Sequence, residues 1–155
     1  MKKLLSIFAV LGLSISALTA CSTSDSASSV ITISDPVVRA IDDMSPKNEA
    51  SGKYMTGSFM TIANSSDEDI TLTGGSSDVA GLIEIHEVID GQMVAMDGGL
   101  VIPANGSVEL RMGGYHVMLM QLVKPLELGT EISVTLKFAK AGDVVVTVPV
   151  LEEAP

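Results

Sequence analysis

The chain's two histidines, His86 and His116, each lie on a strand-like segment with methionine close by. His86 falls in Ile83-Glu84-Ile85-His86-Glu87-Val88-Ile89-Asp90-Gly91-Gln92-Met93, and His116 in Gly113-Gly114-Tyr115-His116-Val117-Met118-Leu119-Met120. Imidazole and thioether without a thiolate make a soft, neutral donor set suited to Cu(I). Thioether sulfur needs no deprotonation, so it adds little pH dependence, and it forms no disulfide outside the cell. Zinc prefers cysteine or carboxylate to thioether. A blue-copper electron-transfer centre needs a cysteine ligand, and the single cysteine, Cys21, sits far away at the N-terminal processing site. The pattern therefore points to metal carriage rather than to an enzyme. No nucleophile elbow, acid–base pair or cysteine nucleophile offers a catalytic alternative.

The local geometry can be read further. Asp90-Gly91 is a two-residue hairpin turn, which pairs Ile89 with Gln92, Val88 with Met93, Glu87 with Val94 and His86 with Ala95. Side chains alternate across a sheet, so His86, Val88, Met93 and Ala95 share one face. Met93 is then diagonal to His86, roughly 7 Å away at the backbone. Met96 falls on the opposite face and joins only if a bulge shifts the strand. His116 and Met118 stand two apart on one strand and point the same way, with Met120 one step further. These residues make an N2S2 set of His86, Met93, His116 and Met118, with Met96 the alternative to Met93. Methionine in a Val-rich strand is usually core filler. What separates these from filler is that each histidine has a methionine on its own face.

The N-terminus reads as an export signal over residues 1–20. Lys2 and Lys3 form its charged part, Leu4 to Leu18 its apolar run, and Leu18-Thr19-Ala20-Cys21 its processing site. The Leu-x-Ala-Cys pattern resembles a lipobox, which makes Cys21 the expected lipidation site and first mature residue. A diacylglycerol and an amide-linked chain there supply the two anchors that stable membrane attachment needs. The polar stretch through Ser29 reads as a flexible tether (21–29) before a β domain over 30–151. The expected location is the outer face of the bacterial cell membrane. With Lys2 and Lys3 removed, 9 Lys+Arg become 7 against 19 Asp+Glu, a formal charge of −12. Such a surface repels nucleic acid, which is excluded as a partner. With Cys21 lipidated no disulfide is available, so a packed core must hold the domain.

The elements that position the candidate ligands are strands. Val, Ile and Thr dominate, and Gly, Asn, Asp and Pro break the chain every eight to twelve residues. The expected strands are 30–40, 57–64, 69–73, 82–89, 92–95, 107–112, 116–122, 131–138 and 143–149. Period-2 alternation is clearest in Ile132-Ser133-Val134-Thr135-Leu136-Lys137-Phe138. Asp42 to Tyr54 lacks strand character and reads as a long loop near one end. Many short antiparallel strands imply an all-β fold, a single-domain β-sandwich or small Greek-key barrel.

His86 through Met118 resembles the periplasmic copper chaperone family PCuAC, whose pattern is H-x10-M-x21-H-x-M. The segments Ile102-Pro103-Ala104-Asn105-Gly106-Ser107-Val108-Glu109-Leu110 and Gly113 to Met120 are very similar to that family's. So are Asp35-Pro36-Val37-Val38-Arg39-Ala40 and Phe59-Met60-Thr61-Ile62-Ala63-Asn64. The likeness covers residues 30 to 150. One departure stands out: six residues separate His86 from Met93 and nine separate it from Met96, neither of them ten. From Met93 to His116 there are 22, close to 21, and from Met96 there are 19. A hairpin shortened by two residues on each strand keeps Met93 in the ligand's position. The resemblance implies a cupredoxin-like barrel that binds Cu(I) and passes it to a copper-accepting protein. The recipient it implies is the copper centre of cytochrome c oxidase (subunit II) or another copper chaperone. Met44 and Met55, flanking the irregular loop, are candidates for extra soft contacts during loading. Copper sequestration or resistance is the alternative within the same chemistry. An adhesive or scaffolding β-sandwich lipoprotein without metal is the alternative of a different class.

Overall fold

The computed structural model describes residues 30–45, 47–48 and 51–153. The expected signal peptide, Cys21 and the tether lie outside them. Ten strands carry the chain: β1 Ile31–Arg39, β2 Tyr54–Asn64, β3 Ile70–Ser76, β4 Ala80–Ile89, β5 Gln92–Ala95, β6 Leu100–Ile102, β7 Gly106–Leu110, β8 His116–Leu122, β9 Glu131–Ala139 and β10 Gly142–Leu151. They run in the order β5-β4-β8-β2-β1-β10-β9-β3-β6, with β7 beside the second half of β2. All pairings are antiparallel except β1 with β10.

The alternation expected in β9 is what builds the core. Ile132, Val134, Leu136 and Phe138 are buried while their neighbours face outward. They join Val146, Val148 and Val150 of β10, Ile83 and Ile85 of β4, and Val117 and Leu119 of β8. Each such aliphatic side chain contributes about 1.5–3 kcal/mol on burial. That suffices for a domain with no disulfide among its described residues.

The hairpin forms in the expected register, with His86 opposite Ala95, Glu87 opposite Val94, Val88 opposite Met93 and Ile89 opposite Gln92. Asp90 and Gly91 both take positive φ, 51° and 77°, as a type I′ turn requires. Several boundaries differ from expectation: β3 runs on to Ser76, β4 starts at Ala80 and β10 extends to Leu151, and three further differences have local causes. β6 was not anticipated, because three residues, Leu100-Val101-Ile102, give too short a run for periodicity to register. It is nevertheless fixed by pairing with β3, with Leu100 and Ile102 inside and Val101 outside. β2 starts at Tyr54, three residues early, where Tyr54 pairs with Leu122. β7 stops at Leu110, because the Arg111 amide turns back to donate to the Tyr115 carbonyl, 2.9 Å.

Candidate metal centre

β4 lies between β5 and β8, so residues from all three strands can share its face. His86 of β4 pairs directly with His116 of β8, and Glu84 with Met118. Directly opposed residues stand on the same side of the sheet. Ile83, Ile85, Val117 and Leu119 take the core side, which sends Glu84, His86, His116 and Met118 to the other. The two imidazole centroids lie 5.7 Å apart. His116 is only 4% exposed and Met118 5%. They are enclosed because the chain leaving β1 folds over them: Ala40, Ile41 and Ser45 wall the cavity on that side. Of the expected loop, Ser45 lines the cavity, and the Tyr54 hydroxyl donates to the Asp43 carbonyl, 3.3 Å.

Both imidazoles are held with one nitrogen bonded and one free. The His116 Nδ1–H donates to the Gly114 carbonyl at 3.1 Å, leaving the Nε2 lone pair buried and without a partner. His86 Nε2 meets Glu84 Oε2 at 2.9 Å, leaving Nδ1 buried and without a partner. The tautomers are inferred from these partners. A carbonyl or carboxylate on one ring nitrogen is the usual means of fixing the other toward a metal. A buried polar atom with no partner costs about 1–3 kcal/mol. Two of them side by side fit a cation-binding role.

Thioethers gather at the cavity that His116 lines, whereas His86 is not among its lining residues. A cavity of about 430 Å³ is lined by His116, Met118, Met93, Met55, Met112 and the ring of Phe59, among others. Met118 stands opposite Gly57 of β2, and Phe59 lies over that glycine, 6.2 Å from the His116 ring between centroids. A Cβ at residue 57 would come within 2.9 Å of Phe59 Cζ. Gly57→Ala is therefore expected to displace the Phe59 ring, costing about 1–3 kcal/mol of stability as overpacking does. Urea unfolding measures it.

The four expected ligands are not equally close. His86, His116 and Met118 stand together on β4 and β8, while Met93 borders the cavity from β5, one strand further out, and is 54% exposed. Met96 packs against the hydrophobic core instead, its amide bonded to the Ile85 carbonyl at 2.8 Å. Of the two candidates for the hairpin sulfur, only Met93 faces the cavity. Met44 is 89% exposed and is not among the cavity's lining residues, whereas Met55 is. Met112 lines the cavity too. In the sequence it stands at the end of the expected strand 107–112. The signal that could have found it is Gly113-Gly114, which marks a turn able to fold Met112 back toward His116. No three His, Cys, Asp or Glu side chains gather into a metal-holding group among the described residues. The donors here are two imidazoles and thioethers, a soft set.

Burial pushes the His116 imidazole below its ordinary value; the Gly114 hydrogen bond opposes this and neighbouring His86 adds to it. The unfolded chain then binds more protons than the folded one as pH drops through about 6.5, so this contribution to stability is present above that pH and is lost as pH decreases. His116→Gln is expected to flatten this part of the profile, as urea unfolding at pH 7.5 and pH 5.5 would reveal.

The family model described as "Putative lipoprotein LpqE-like" matches residues 31–150. "Putative lipoprotein Lxx21020" of Leifsonia xyli subsp. xyli (strain CTCB07) is 36% identical over 106 residues, 66% of this chain and 64% of its own length. "Uncharacterized protein RP573" of Rickettsia prowazekii (strain Madrid E) is 32% identical over 101 residues, 63% of this chain and 56% of its own. The chain thus spans less than two thirds of these curated relatives. Among solved structures, the copper-bound PCuAC domain from PmoF2 is 27% identical with a TM-score of 0.65, over 79% of this chain and 93% of that one. CuI-DR1885 from Deinococcus radiodurans is 27% identical with a TM-score of 0.64, over 81% and 80%. The architecture is the cupredoxin-like β-sandwich of PCuAC domains, in agreement with the resemblance read from the residues. Matched from the first residue of β1 to the penultimate residue of β10, the chain belongs to the LpqE-like family.

Proposed function

We propose that this protein is a non-enzymatic carrier that binds one Cu(I) through His86, His116, Met118 and Met93 and hands it to a copper-accepting partner. The observation that carries the reading is the pair of buried, unpartnered imidazole nitrogens, on His86 and on His116, whose rings lie 5.7 Å apart and of which His116 lines a methionine-bearing cavity. Two imidazoles and two thioethers are a neutral, soft donor set that matches a soft cation of low charge. Similar domains that carry copper in their own solved structures support it. The exposed Met93 gives the site an open edge at which a partner's ligand can replace a sulfur without unfolding the domain.

The carrier works outside the cytoplasm, anchored through lipid on Cys21 after removal of residues 1–20. The lipoprotein naming of the family and of one curated relative supports this. The recipient implied by the family resemblance is the copper centre of cytochrome c oxidase. Competition for Cu(I) against a chromophoric chelator tests the binding claim. The expected result is one Cu(I) per chain, and no uptake beyond that of His116→Ala would refute it. Met93→Leu is expected to weaken binding by about tenfold, less than loss of a buried ligand, because its exposed sulfur is held less rigidly. In the same titration Met96→Leu should leave affinity unchanged.

A further inference from the structure

Met55 and Met112 are not needed to complete the four-donor set, yet both line the cavity in front of His116 and Met118. A methionine used as filler is enclosed, as Met60 is at 3% exposure, whereas Met112 is 51% exposed. Its position is set by the tight turn from Arg111 to Tyr115, closed by Arg111 N–H to Tyr115 O at 2.9 Å and Gly114 N–H to Arg111 O at 3.0 Å. The same turn supplies the Gly114 carbonyl that holds the His116 Nδ1–H. One short segment therefore both orients the buried imidazole and presents a thioether at the cavity mouth. Met55 approaches from β2, partly buried, two residues from the glycine that opposes Met118. The sulfurs form a graded series, from exposed Met112 through half-buried Met55 to enclosed Met118.

We propose that Met55 and Met112 form a thioether relay through which Cu(I) enters and leaves the buried site, an inference that rests on the carrier reading above. Each step exchanges one ligand: a bond to copper forms as another breaks. On exit the Cu–N bonds to His86 and His116 and the Cu–S bond to Met118 give way in turn to Cu–S bonds with Met55 and Met112 and then to the acceptor's ligands, and entry runs in reverse. The copper stays Cu(I), no proton moves, and no oxidant or reductant is required. Neutral soft donors at the mouth lower the cost of stripping copper from one ligand before the next engages. The relay governs rate, and the His86, His116 and Met118 donors govern affinity.

The test uses the full chain in detergent, loaded with one equivalent of Cu(I) and mixed rapidly with excess bicinchoninate. Met55→Leu/Met112→Leu keeps side-chain volume, and Met112 is exposed, so folding is preserved. The expected result is transfer slowed by at least about fivefold with equilibrium affinity held within about twofold. Transfer at the parent rate overturns the relay while leaving the carrier reading intact. An affinity loss matching that of Met118→Leu also overturns it, by making the two methionines static ligands. A parent chain that takes up no Cu(I) removes the carrier reading itself.

Discussion

Replacing His116 by alanine is expected to weaken Cu(I) binding by at least about 100-fold, because even partners outside the ligand shell typically contribute 10- to 100-fold to metal affinity. That corresponds to about 2.7 kcal/mol at 1.36 kcal/mol per factor of ten. Two features single out this histidine. Its Nδ1 is committed to the Gly114 carbonyl, so its Nε2 is pre-aimed. Its burial lowers its pKa below the ordinary histidine value, so copper competes with fewer protons than at an exposed imidazole. The apo domain should remain folded. The substitution removes an unpartnered buried nitrogen, which offsets part of the cost of the cavity it leaves. Chelator competition and urea unfolding on the same preparation separate the two effects: a large loss of affinity with little loss of stability is the expected pattern.

The opposite pattern is expected at Asn64. This side chain is 2% exposed and joins three pieces of backbone at the far end of β2. Its amide nitrogen donates to the carbonyls of Glu68 at 2.8 Å, Ile102 at 3.1 Å and Pro103 at 3.2 Å. Its oxygen accepts from the Ser66 amide at 2.9 Å and the Ser66 hydroxyl at 2.7 Å. Truncation to alanine leaves several of these groups buried and unpaired, each costing about 1–3 kcal/mol, so a loss on the order of 3 kcal/mol is expected. The imidazoles lie on β4 and β8, away from this corner, so Cu(I) affinity of the folded protein should stay within about twofold. Urea unfolding of Asn64→Ala beside the parent measures the first, and competition below the unfolding transition the second.

Much of the site's framework was legible in local chemistry. Asp90-Gly91 dictates a turn with two positive φ values, and that turn alone fixes which residues of β4 and β5 share a face. The His-x-Met spacing places His116 and Met118 on one side of β8 by alternation alone. What sequence could not supply is pairing between distant strands. That β4 runs beside β8 with His86 opposite His116 depends on contacts across the whole chain. β6 escaped notice because its three residues are strand only through pairing with β3. The contribution of Met112 was hidden for the same reason, since it depends on how the turn at Gly113 and Gly114 folds against a neighbouring strand. The role of Asn64, in sequence only the last residue of an expected strand, is not legible there, because its partners at Ile102 and Pro103 lie 38 and 39 residues away.

X-ray absorption at the copper edge, on the full chain carrying one equivalent of Cu(I), tests the central claim most directly. The expected first shell contains both nitrogen and sulfur, with the sulfur contribution reduced in Met118→Leu and the nitrogen contribution reduced in His116→Ala. A shell without sulfur, or one that neither substitution changes, would contradict the assignment of copper to these histidines and methionines.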